Sequence, residues 1–162
     1  IKLGSKKIAL LSTIHNLSVG KLRLEGYKKA LSDANMSIDE NLIILETSIE
    51  DFDVKLQDLI SSKKMDAVFA LDEHSSTMTM RMALKQGIKI PEELNIIGFA
   101  DGVWSRRLTP SLSTVSQHAP EIGAKAAELL IHKLNSKDEF YQPQTVVIKT
   151  ELRQRESTKK LN

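Results

Sequence analysis

The 162-residue chain contains no cysteine, which excludes a disulfide framework, a thiolate zinc site and a cysteine nucleophile. Aromatic residues make up only 4%, too few for base-stacking platforms or for the aromatic floor of a carbohydrate site. No apolar run approaches the roughly 18 residues of a membrane span. Neither sign of charge dominates: 23 Lys and Arg face 21 Asp and Glu, a net charge of +2. That balance excludes a chain whose main work is gripping nucleic-acid phosphates. The glycine-rich dinucleotide fingerprint and the nucleophile elbow of hydrolases are missing, and Gly20-Lys21 lacks the rest of a phosphate loop. His15, His74, His118 and His132 are scattered without i,i+4 pairing, so neither a metal nor another cofactor is expected. The start has no initiator Met and no signal-peptide layout. A fragment is expected.

Apolar residues at 41% and charged residues at 27% belong to an ordinary folded domain, and the length suits one. Short apolar runs over 8–11, 42–45, 67–71 and 95–99 read as buried strands. Between them, apolar residues recur at helical spacing over 19–31, 51–61 and 75–85, the last closed by Gly87. Residues 102–110 read as loop, 121–134 as a fourth helix, 144–152 as a last strand and 156–162 as a mobile tail. Strands alternating with helices imply an α/β fold, a doubly wound parallel sheet covered on both faces. Such sheets bind ligands at the carboxyl ends of their strands, here Ser12-Thr13, Leu71-Asp72 and Ala100-Asp101.

From Leu94 onward the pattern becomes specific. Gly98-Phe99-Ala100-Asp101 ends a strand. A loop follows, then Pro110-Ser111-Leu112-Ser113-Thr114-Val115-Ser116-Gln117, then a helix with Gly123 and the pair Ala126-Ala127. Upstream stand Arg23 with Gly26-Tyr27, the strand end Ala67-Val68-Phe69-Ala70-Leu71-Asp72, and the turn Gly87-Ile88-Lys89-Ile90-Pro91-Glu92-Glu93. The terminal stretch is Leu152-Arg153-Gln154-Arg155-Glu156-Ser157-Thr158. Taken in chain order, these motifs resemble the lactose-repressor/galactose-repressor family of transcription regulators over nearly the whole chain.

The resemblance implies the second lobe of a periplasmic-binding-protein-like fold over 1–104 and about 140–156, with about 113–137 a crossover segment of the first lobe. It implies a cytoplasmic, non-enzymatic sensor of a small-molecule effector, a sugar or sugar derivative, that forms a homodimer. Operator DNA would be bound only through a helix-turn-helix that these residues do not contain, and no membrane is involved. The alternative is a fragment of an exported sugar-binding transport protein, which shares the two-lobe fold; an α/β enzyme is a more distant one.

The expected effector contacts are Arg23, which the resemblance carries over, Asp72 and Asp101 at strand ends, and Trp104, the lone tryptophan in the loop after the fourth strand. Each has a plainer reading: a solvated helix charge for Arg23, a helix cap for Asp72, a carboxylate pointing elsewhere for Asp101, and packing for Trp104. Leu71 and Ala100 stand where family members commonly carry polar effector contacts. The Met-rich helix, with Ser75, Met78, Thr79 and Met82, and the loop holding Arg106 and Arg107 correspond to the family's dimer contacts.

Overall fold

In the computed structural model, which describes residues 1–99, 101–136 and 142–159, the apolar runs form the inner strands and the amphipathic runs form helices. The order is β1 (Ile8–Ser12), α1 (Ser18–Asp33), β2 (Ile43–Leu45), α2 (Ile49–Ser62), β3 (Ala67–Ala70) and α3 (Glu73–Lys85). Then come β4 (Asn95–Gly98), α4 (Val103–Arg107), β5 (Ser113–Ser116), α5 (Ala119–Asn135) and β6 (Glu151–Arg153). The strands make one sheet in the order β2-β1-β3-β4-β5-β6. All neighbours are parallel except β6, which runs against β5 with Thr114 opposite Arg153.

Successive side chains on a strand point to opposite faces, and the packing follows that alternation. Ala9, Leu11, Val68, Ala70 and Ile96 pack against Phe52, Leu56 and Ile60 of α2 and Met80 and Ala83 of α3. On the other face Leu10 and Leu71 meet Tyr27 and Leu31 of α1, and the Tyr27 hydroxyl donates to the Ile8 carbonyl at 2.7 Å. The doubly wound α/β expectation is met, but coverage is unequal. Beyond α1 the second face is an apolar trough of about 690 Å³, floored by residues such as Phe69, Ile97, Phe99, Val115 and Leu152.

Several expectations are corrected. The segment 113–116, which no apolar run singled out, is β5; the chain therefore stays in this sheet through Ser116 before any crossover. The expected loop holds the short helix α4. The last strand starts only at Glu151, and residues 142–150 take no regular structure, Val147 being 82% exposed. The tail is anchored, not mobile, where it is described. Ser157 and Thr158 are buried, the Ser157 amide donates to the Ser111 carbonyl at 2.9 Å, and its hydroxyl donates to the Ile96 carbonyl at 2.6 Å; 160–162 lie outside the described residues.

Ser75 and Thr79 cannot be dimer contacts, because both are fully buried within the chain. Small hydroxyl side chains satisfied by their own helix can face a core: Thr79 Oγ1 donates to the Ser75 carbonyl at 2.6 Å. They let α3 lie close to the sheet, where a Cβ on Gly98 would stand 3.0 Å from that of Ser76.

Candidate functional site

The carboxyl ends of β1, β3 and β4 open at one edge of the sheet, and α1 starts beside them. The start of α1 is drawn in tightly: a Cβ on Gly20 would come 2.1 Å from the Ile14 carbonyl oxygen. One turn later Arg23, half-buried, reaches across the strand ends. Its guanidinium donates to the Leu71 carbonyl at 2.6 Å and to Gln117 Oε1 at 3.1 Å, and its Cζ lies 3.8 Å from the centre of the Phe99 ring. Burial holds the Arg23 pKa below the ordinary guanidinium value, and the charge of Asp72 partly offsets that. The plain reading of a freely solvated helix charge does not describe this residue.

Asp72 is a structural tie. One carboxylate oxygen accepts from the Ser75 amide and the other from the Thr13 amide, each at 2.8 Å. With the Ser75 hydroxyl facing the Asp72 backbone, this is a capping box at the start of α3, and it also ties the β1–α1 loop to that helix. Asp72 therefore shares the strand ends with Arg23 but uses its carboxylate on backbone amides.

Asp101 belongs to a different cluster. Its Oδ1 accepts from Arg155 at 2.5 Å and from Thr114 Oγ1 at 2.9 Å, and Oδ2 accepts from Arg153. Arg155 also donates to the Leu112 carbonyl at 2.6 Å, and Arg153 to Glu151 at 3.1 Å. Asp101 thus stitches the approach to α4 to β5, β6 and the anchored tail. Ala100 lies outside the described residues.

Trp104 is 61% exposed on α4 and lines neither the trough that contains Arg23 nor a second hollow of about 440 Å³ bounded by Asp101, Arg106, Gln117, His118 and Arg153. Arg106 and Arg107 are exposed on the same short helix, whereas Met78 and Met82 pack against the core. Two residues join the site that were not singled out from sequence: Gln117, which borders both hollows, and Phe99. Gln117 closes the motif that begins at Pro110, and Phe99 follows Gly98 at the strand end, so both lay within matched motifs. Among the described residues no group of three His, Asp or Glu side chains converges as a metal site, and no helix is long and apolar enough to cross a membrane.

Residues 1–158 match the family described as periplasmic binding protein-like domain. The chain is 32% identical to the ribose operon repressor of Haemophilus influenzae over 88% of this chain and 43% of that protein. It is 30% identical to the HTH-type transcriptional repressor PurR of Vibrio atlanticus over 100% of this chain and 48% of that one. Among solved structures, a complex of the transcriptional regulator CelR with cellobiose superposes with a TM-score of 0.83 at 27% identity, covering 95% of this chain and 47% of that one. The chain spans about half the length of the repressors it matches.

Proposed function

The chain belongs to the periplasmic binding protein-like domain family, in the line of the lactose-repressor/galactose-repressor regulators, and on that premise we propose that it is the ligand-sensing and dimerising part of a transcription repressor. The observation that carries this reading is Arg23, fixed by Leu71, Gln117 and Phe99 at the strand ends where sheets of this kind take ligands. It supplies one wall of a cleft whose other wall comes from the part of the parent protein this chain does not span. A small-molecule effector, a sugar or sugar derivative, is held there by hydrogen bonds without chemical change, so the chain is a binding module and not an enzyme. Asp72 and Asp101 shape the wall from behind instead of touching the effector.

In the same reading the homodimer forms through the outward side of α3, with Arg81, Leu84 and Lys85, and through Val103, Trp104, Arg106 and Arg107 of α4. Met78 and Met82 support that face from within. Operator DNA is bound by a helix-turn-helix elsewhere in a cytoplasmic parent protein. Titration calorimetry of the chain against sugars and their acid and phosphate derivatives tests the site. Binding by at least one of them, weakened tenfold or more by Arg23→Gln, is expected; affinity indifferent to that substitution removes Arg23 from the site.

A further inference from the structure

The strand ends have few accepting atoms left, because the fold uses them internally. Asp72 gives both carboxylate oxygens to backbone amides. Asp101 gives its oxygens to Arg153, Arg155 and Thr114. The hydroxyl oxygens of Ser12 and Ser116 accept from the amides of Ile14 and His118. Gln117 Oε1 and the Leu71 carbonyl both accept from Arg23. Leu71 itself has a fully buried side chain. The exposed Glu73 lies against Gly102, where a Cβ would sit 3.1 Å from its Oε1. What the ridge of Arg23 and Gln117 still has to offer is N–H: the remaining guanidinium protons and the Gln117 amide.

A sugar hydroxyl is donor and acceptor at once. Buried against a ridge whose accepting atoms are mostly taken, its own proton finds few partners. A carboxylate or phosphate oxygen only accepts, and the planar guanidinium fork matches it with two parallel bonds. We propose that this wall takes its ligand through an oxyanion, a carboxylate or phosphate ester, and not through neutral hydroxyls, an inference that rests on the effector-site reading above. The half-buried Arg23 fits it. Its charge is partly desolvated, and the Asp72 carboxylate whose charge it feels accepts its hydrogen bonds from two backbone amides.

The test is a nuclear magnetic resonance titration of the ¹⁵N-labelled chain with D-glucose, D-gluconate, D-glucose 6-phosphate and inorganic phosphate at fixed ionic strength. The acid and the phosphate ester are expected to move the Arg23 Nε–H and Gln117 side-chain amide signals and to bind at least tenfold more tightly than glucose. Arg23→Gln abolishes the Gln117 shift. Gln117→Glu, which places a competing acceptor beside Arg23, weakens anion binding tenfold or more and serves independently if Arg23→Gln disturbs the fold. Glucose binding as tightly as its charged forms, with the same signals moving, overturns the oxyanion inference and leaves the cleft reading standing. Anion shifts that survive Arg23→Gln overturn it as well, since they come from another surface. If no compound moves any strand-end signal, the inference and the cleft reading fall together.

Discussion

Burial alone would push the Asp101 carboxyl up; hydrogen bonds from Arg155 and Thr114 and the charges of Arg155 and Arg153 outweigh it and hold the group at about 2, below the ordinary 3.8. A carboxyl depressed by folding stabilises the native state above its unfolded pKa, and that contribution fades as pH falls through the folded value. The contribution is about 2 kcal/mol, present at pH 7 and lost progressively below about pH 4. Asp101→Asn is therefore expected to lower unfolding free energy by about that much at pH 7. The gap between the two proteins should close as the pH drops from 4 toward 2. Urea midpoints across that range check it; a gap of constant size would mean that the negative charge is not what stabilises. Local sequence gives no hint of this role. A strand-end Asp looks the same whether it awaits a ligand or an arginine, and its two arginines lie 52 and 54 residues further along the chain.

Where α1 begins, the constraint is on backbone distance, and Gly20 carries it. Any Cβ there collides with the Ile14 carbonyl, which sits in the loop that Asp72 holds through Thr13. Because backbone atoms yield less than a side-chain tip, Gly20→Ala is expected to cost about 3 kcal/mol, at the upper end of overpacking effects. Thermal unfolding checks it, with Gly26→Ala as control because a Cβ at Gly26 meets nothing within 4 Å. The strands and helices from β1 to β4 were legible because each carries its own apolar run or stripe. β5 was not: Ser113, Thr114 and Ser116 are buried hydroxyl residues, satisfied by groups such as the Thr158 hydroxyl, 2.8 Å from Ser113 Oγ. The stretch 144–150 shows the opposite failure, since Thr145, Val146, Val147 and Ile148 have strand-forming side chains but no strand of the sheet beside them. At the site, position along the fold was legible for Arg23. Which carboxylates were already committed was not, because that depends on contacts across the sheet.

For the molecule as a whole, the proposed homodimer raises the question of which exposed apolar surface would join two copies. Three compete: the trough beside α1, the helix α5, none of whose residues is buried, and the face made by α3 and α4. The first two, with Leu134 at 74% exposure on α5, are large and would associate in any chain that left them uncovered. The third carries exposed Leu84 on α3 and exposed Val103 and Trp104 on α4, with Arg81, Lys85, Arg106 and Arg107 exposed on the same two helices. Scattered exposed apolar side chains mixed with basic ones suit a specific interface better than a wholly apolar surface does. Lysines placed at its apolar positions are expected to give monomers by sedimentation at tens of micromolar protein, since they add like charge to the four basic residues already there and an uncompensated charge buried in an interface costs about 3–5 kcal/mol. The variant is Leu84→Lys with Trp104→Lys. Leu134→Glu with Val147→Glu, on the competing surface, should leave the dimer intact. Met82→Glu would be a poor probe because Met82 packs against the core, so loss of fold and loss of partner would coincide. Trp104 is the only tryptophan, so the unmodified chain carries its own reporter. Its emission should shift to longer wavelength on dilution if α4 is released into water. If instead the α5 pair produces monomers while the α3–α4 pair stays dimeric, association runs through α5 and the proposed dimer face is wrong.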